Sequence, residues 1–77
     1  MQKNKRPIEA PREKFQRIAT LRTNKVIKGL QSLAKLSNPR SYSYSKTELN
    51  KIFSAINNEV RVARAMFDKH QREKFEL

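Results

Sequence analysis

The run from Ser45 to about Phe75 limits most strongly what this chain can fold into. Its apolar residues recur at alternating steps of four and three, which keeps them on one narrow side of a helix. In chain order they are Leu49, Phe53, Ile56, Val60, Ala63 and Phe67, and His70 takes the next position. Ile52 widens this heptad seam at its N-terminal end. The pattern predicts a helix that packs its seam against another helix.

Local signals mark where this second helix begins. Ser45 is an N-cap residue and Glu48 stands three positions later, which is the spacing of a capping box. Tyr44 and Leu49 have the spacing of a hydrophobic staple around the same cap. No Gly or Pro follows, so we expect a helix over about 46–74.

Prolines mark both ends of a first helix. Pro11 suits a first helical turn, and Asn38-Pro39 ends the helix because the residue before a proline is disfavoured in the α region. We therefore expect a helix over about 11–36 and a loop over 37–45. Gly29 costs about 1 kcal/mol of helix propensity relative to Ala, so it marks either a close contact or a bend.

The first helix has two dissimilar faces on a helical wheel. Its apolar face consists of Phe15, Ala19, Val26, Leu30 and Leu33. The opposite face, here called the basic ridge, consists of Lys14, Arg17, Leu21, Lys25, Lys28, Ser32 and Lys35. The apolar face predicts packing against the heptad seam, and the basic ridge then faces outward.

A loop of about eight residues between two helices favours an antiparallel hairpin. Placing Leu33 opposite Leu49 also places Phe15 opposite Phe67, so that large side chains meet. We expect an all-α fold: a flexible basic arm over 1–10, then one helical-hairpin domain over 11–77. Only 36% of the 77 residues are hydrophobic, so we expect a second copy or another partner to cover the remaining apolar surface. A homodimer would give a four-helix bundle.

Net charge favours an anionic target. The chain carries a formal charge of +11, and residues 13–40 hold seven basic residues against the single acid Glu13. Such a field attracts nucleic acid, an acidic protein or an anionic membrane. The membrane is the weakest of the three, because the apolar face of the first helix is needed for the hairpin and has no Trp.

No residue pattern indicates an enzyme, a cofactor or a metal site. The chain has no Cys and one His, so His70 lacks the partners of a ligand set and is interpreted as a half-buried seam residue. One Gly cannot form a glycine-rich phosphate loop. Because the N-terminus lacks an uninterrupted apolar segment, we expect no signal peptide or membrane span and a cytoplasmic location.

The candidate binding residues are the basic ones at helical spacing and their neighbours. They are Lys14, Arg17, Lys25, Lys28, Lys35 and Arg40, with Lys3, Lys5 and Arg6 in the arm. Asn24, Gln31 and Ser32 can hydrogen-bond phosphates or base edges. The alternative is an inert solvated face, but such faces usually mix charge signs, as the second helix does with Arg64/Asp68 and Arg72/Glu76.

The loop offers a second candidate contact. Tyr42 and Tyr44 lie near Arg40, and aromatic rings beside Arg can stack on unpaired bases. For Tyr44 the staple is the better explanation. For Tyr42 the sequence favours neither interpretation.

Several short strings resemble small basic helical proteins from phages and mobile elements of Gram-positive bacteria. They are Ile18-Ala19-Thr20-x-Arg22-Thr23-Asn24-Lys25-Val26-Ile27-Lys28, Leu36-Ser37-Asn38, Tyr42-x-Tyr44 and Lys51-Ile52-Phe53-x-Ala55-Ile56. The resemblance covers roughly residues 13–70. It implies an accessory protein acting in a bacterial cytoplasm, and it implies no catalytic activity.

Three functions are consistent with this sequence. The leading hypothesis is a non-enzymatic nucleic-acid-binding protein that uses the basic ridge. The second is a regulator or inhibitor of phage or mobile-element origin that binds an acidic surface of a host protein or nucleoprotein complex. The third is a structural subunit that assembles through an apolar flank formed by Leu21, Val62 and Met66.

Overall fold

The computed structural model describes residues 8–72, with side chains over 8–71. It contains two α-helices, α1 (Pro11–Ala34) and α2 (Lys46–Arg72), and a 3-10 turn, Lys35–Ser37, that follows α1. No strand occurs among residues 8–72, and the all-α prediction is confirmed. The arm residues Lys3, Lys5 and Arg6, and the expected end of the second helix at about residue 74, lie outside the described residues.

The start of α1 follows from its proline. Ala10 has extended backbone (φ −65°, ψ 149°), and Pro11 occupies the first turn, where its missing N–H group costs nothing. The carbonyl of Ala10 accepts the N–H of Lys14 at 2.9 Å. Glu13 lies in the same turn, on the side of the helix dipole that favours an acid. Ala10 itself offers no side-chain hydrogen bond to this end of the helix.

The end of α1 is tighter than the sequence predicts. The α-helix stops at Ala34, and Lys35–Ser37 continue as a 3-10 turn to within a residue of the expected boundary. Asn38 then has extended backbone, as expected for the residue before a proline. Its carbonyl accepts the N–H groups of Ser41 and Tyr42 at 3.1 and 3.0 Å, so one residue organises the turn.

The capping box of α2 is confirmed. The Ser45 backbone N–H donates to Oε1 of Glu48 at 2.8 Å, and the Glu48 N–H donates to Oγ of Ser45 at 3.0 Å. The Ser45 carbonyl also accepts the N–H of Leu49 at 3.1 Å. Leu49 is half-buried, and its staple contact with Tyr44 stays a prediction.

The chain divides into two units, one ending at Tyr42 and the other beginning at Ser43, so α1 and α2 belong to different units. No side chain among residues 8–71 is buried. In the heptad seam, Val60 is 60% exposed and Phe53 46%, while Leu49 and Ile56 are half-buried. The predicted core residues are therefore exposed or half-buried within their own units, and their burial in a hairpin stays a prediction.

Neither described helix carries a stretch long and apolar enough to cross a bilayer.

Candidate polyanion-binding face

The basic ridge runs along one side of α1 and into the turn that follows it, and it is interrupted by Leu21 and Ser32. Lys14, Lys25 and Lys28 are exposed on the helix, and Lys35 is exposed on the first residue of the 3-10 turn. At about 1.5 Å of rise per residue, Lys14 and Lys28 lie about 21 Å apart along the axis. That length matches roughly six phosphate steps of one DNA strand.

Four of the five cations of this ridge are available to a ligand. Within residues 8–71, Lys14, Lys25, Lys28 and Lys35 form no ion pair and no side-chain hydrogen bond. An ammonium group that has no internal partner keeps its full charge for an external anion. Among the described residues, the ridge therefore presents a positive charge that no internal ion pair offsets, except at Arg17.

Arg17 departs from the expectation that the ridge has no acid beside it. Its Nε and Nη2 groups donate to the two carboxylate oxygens of Glu9 at 3.0 and 2.8 Å. This forked pair raises the pKa of Arg17 above its usual value, first through the hydrogen bond to Glu9 and then through the charge of Glu9. Arg17 therefore stays fully charged but already holds an anion.

Helical periodicity could not reveal the Glu9–Arg17 pair. Glu9 precedes Pro11 and lies outside the helix, so the wheel that relates ridge residues to one another does not place it. The pair also shows that Glu9, assigned from the sequence to a flexible arm, contacts the first helix.

Polar side chains beside the ridge add hydrogen-bonding capacity. Within residues 8–71 the amides of Asn24 and Gln31 and the hydroxyl of Ser32 make no side-chain hydrogen bond. Thr20, by contrast, donates its hydroxyl to the carbonyl of Gln16 at 2.6 Å. The first three can therefore serve an external phosphate or base edge, and Thr20 is occupied internally.

The turn after α1 extends the basic surface. The N–H of Arg40 donates to Oδ1 of Asn38 at 3.0 Å, which fixes the backbone that carries its side chain. Arg40 is exposed and Tyr42 is 48% exposed. Both belong to the same unit as α1, so this turn adds one exposed cation and one exposed ring to the unit that carries the ridge. Whether Tyr42 stacks on a base stays a prediction.

Charges on α2 are partly occupied within the helix. Nε of Arg64 lies 3.9 Å from Oδ1 of Asp68, which confirms the i, i+4 pair expected from the sequence. Nη2 of Arg61 donates to Oδ1 of Asn58 at 2.9 Å. The second expected pair, Arg72/Glu76, lies outside the described side chains. Mixed signs and internal partners make α2 a weaker candidate for binding an anion.

Within the described part of the chain no group of three or more His, Asp or Glu side chains could hold a metal ion.

Comparison with family models, with curated proteins and with solved structures finds no match to this chain. The resemblance to basic phage proteins therefore stays a prediction.

Proposed function

We propose that this protein is a small, non-enzymatic nucleic-acid-binding protein that contacts the phosphate backbone through the basic ridge. The observation that carries the proposal is the set of four exposed lysines on one side of α1 and its turn that have no partner within residues 8–71, Lys14, Lys25, Lys28 and Lys35. A polyanion with regularly spaced charges fits such an arrangement. On the resemblance alone, we propose a bacterial cytoplasm as its place of action.

The strength of this binding follows from counterion release. Four phosphate contacts give a slope of about −3.6 in a plot of log Kobs against log salt concentration for B-form DNA. Affinity then falls by a factor on the order of 100 between 50 and 200 mM salt. Contacts from Arg40, or from Lys3, Lys5 and Arg6 in the proposed arm, would make the slope steeper.

The decisive test is a salt titration with a random-sequence duplex and with a single strand of the same length. Lys28→Glu combined with Lys35→Glu should weaken binding at low salt and reduce the slope by about 2, since each lysine that contacts a phosphate contributes about 1. The matched control is Lys51→Glu with Lys69→Glu on α2. These two lysines are also exposed and unpaired within residues 8–71, and the net charge change is identical.

An equal loss of binding affinity in both double variants would mean that net charge, and not the ridge, attracts the nucleic acid. Absence of binding to either probe at about 50 mM salt, where counterion release favours association, would overturn the proposal. In that case, stoichiometric capture of an acidic protein from a nuclease-treated host extract would support the regulator hypothesis instead.

We infer further that the apolar face of α1 covers the heptad seam in an antiparallel hairpin, which two copies extend to a four-helix bundle. The support is the exposed apolar surface that each helix carries within its own unit, including Val26 at 61% and Val60 at 60%. Burial of such surface is favourable by about 25 cal/mol per Å². This packing leaves the basic ridge on the outer side, open to a ligand.

The hairpin is tested by distance measurement between two spin labels. The chain has no Cys, so Gln16→Cys with Lys69→Cys gives one defined pair. In the proposed hairpin, residue 16 lies opposite residue 66, which is three residues from residue 69. Helix axes in contact lie about 8–10 Å apart, and each label adds its own length, so the two labels should be about 20 Å apart. Dilution with unlabelled protein separates distances within one chain from distances between copies. A distance beyond about 40 Å within one chain would overturn the hairpin.

A structural assembly subunit is the second candidate, and one observation favours it. Leu21 is 56% exposed within the first unit, and Val62 and Met66 are 50% and 54% exposed within the second. Assembly through these residues predicts large species in sedimentation that Met66→Glu dissolves. A monomer or plain dimer at high concentration would count against this candidate.

A further inference from the structure

Arg17 already presents its guanidinium to an anion in a two-pronged geometry. Nε and Nη2 donate in parallel to the two oxygens of Glu9, at 3.0 and 2.8 Å. Two oxygens of a carboxylate, or two oxygens of a phosphate, can accept such a pair of parallel N–H groups. The position of the Glu9 carboxylate therefore marks where two oxygens of a phosphate would lie against Arg17.

The pair is also open to exchange. The Arg17 side chain is 57% exposed and that of Glu9 29% exposed. Ion pairs that water reaches contribute little to stability, so an incoming phosphate does not have to break a buried contact. Glu9 lies before Pro11, outside the hydrogen-bonded helix, so a movement of its side chain does not require the backbone bonds of α1 to break.

We propose that Glu9 is an internal competitor for a phosphate-binding position at Arg17, and that nucleic-acid binding exchanges the Glu9 carboxylate for a backbone phosphate. This inference rests on the proposed function, because it assigns a role to one further residue of the same face. Glu9 thereby lowers the affinity of the ridge for nucleic acid, because its contact with Arg17 must be broken before a phosphate can take the same position.

The exchange makes a quantitative prediction for Glu9→Gln. The variant has no carboxylate to displace, so at a fixed salt concentration its affinity for the duplex should exceed that of the wild type by about 2- to 5-fold, the factor that an exposed ion pair contributes. Its salt slope should stay close to the wild-type slope, because a phosphate holds Arg17 in both complexes and the number of phosphate contacts is the same. The probe is the random-sequence duplex already used for the ridge variants.

The matched control is Glu13→Gln. Glu13 is exposed in the first turn of α1 and forms no ion pair within residues 8–71, so the substitution changes net charge by the same amount without touching Arg17. We expect a smaller gain in affinity for Glu13→Gln than for Glu9→Gln at the same salt concentration. Equal gains for the two variants would overturn the inference, because net charge alone would then explain the effect.

A second readout follows the Arg17 Nε–H resonance by NMR. In the free protein it should differ between wild type and Glu9→Gln, because only the wild type has the carboxylate partner. With saturating duplex the two resonances should coincide, because a phosphate then holds Arg17 in both proteins. Resonances that still differ in the complex would show that Glu9 stays on Arg17, and the exchange would be wrong.

These outcomes separate the inference from the function on which it rests. If the wild type binds with a steep salt dependence that Lys28→Glu and Lys35→Glu reduce, but Glu9→Gln behaves like Glu13→Gln, the ridge stands and the exchange fails. If the wild type does not bind at 50 mM salt, the proposed function and the exchange fail together.

Discussion

The two helices are of similar length but distribute their charged and apolar residues differently. Along α1, Pro11–Ala34, the lysines have no internal partners within the described residues. Along α2, Lys46–Arg72, apolar residues concentrate on one side and the arginines of residues 61 and 64 are engaged within the helix. Under the proposed function, α2 would specify packing, and α1 would supply both a packing face and an anion-binding face.

The N-terminal ends of the two helices also differ, in their side-chain caps. The first turn of α2 is closed by two side-chain hydrogen bonds between Ser45 and Glu48, whereas Ala10 provides no side-chain cap for α1. Near the start of α1, Glu9 pairs with Arg17. The α2 start is therefore fixed locally, and the acid at the α1 start acts on the ridge.

The largest expected effect concerns the heptad seam. Ile56→Asp should remove the cooperative thermal transition, with a loss of about 3 kcal/mol or more, because it places a charge where α2 is proposed to pack. Asn57→Asp introduces the same acid one position away and should leave the melting midpoint nearly unchanged. Circular dichroism at 222 nm measures both. Superimposable melting curves for the two variants would show that nothing covers the seam in solution.

The second effect concerns the two helix starts. Ser45→Ala should lower the free energy of unfolding by ~1 kcal/mol, because it removes the acceptor for the Glu48 N–H. Ala10→Ser should raise it by a smaller amount, since Ala10 already has the extended backbone of an N-cap. Urea titrations of both variants measure the change. If Ala10→Ser destabilises the protein, the contrast between the two starts is wrong.

The smallest effect concerns Gly29, where the sequence predicted a close contact or a bend. A Cβ atom built there meets nothing within 4 Å, so Gly29→Ala should stabilise the protein by ~0.8 kcal/mol through helix propensity. Ala65→Gly, at an exposed position inside α2, should have the opposite effect of similar size. Destabilisation by Gly29→Ala would locate a helix or ligand packed closely against this point in solution.

Much of the secondary structure was readable from residues a few positions apart. The capping box could be predicted from Ser45 and Glu48 alone, and the end of α1 from Asn38 before its proline. The candidate ridge could also be predicted, because residues at steps of three and four lie on the same side of any helix. The 3-10 geometry of Lys35–Ser37 could not, since the same residues satisfy an α-helical pattern.

By itself the sequence determined two helices, their caps and the row of lysines, because each depends on spacing within a few turns of one helix. Only the structure decided that Arg17 differs from those lysines. Its partner Glu9 lies eight positions away and outside the helix, and helical periodicity does not place a residue that lies outside the helix. The path of the backbone before Pro11 brings the carboxylate to the guanidinium, and that path is a three-dimensional property.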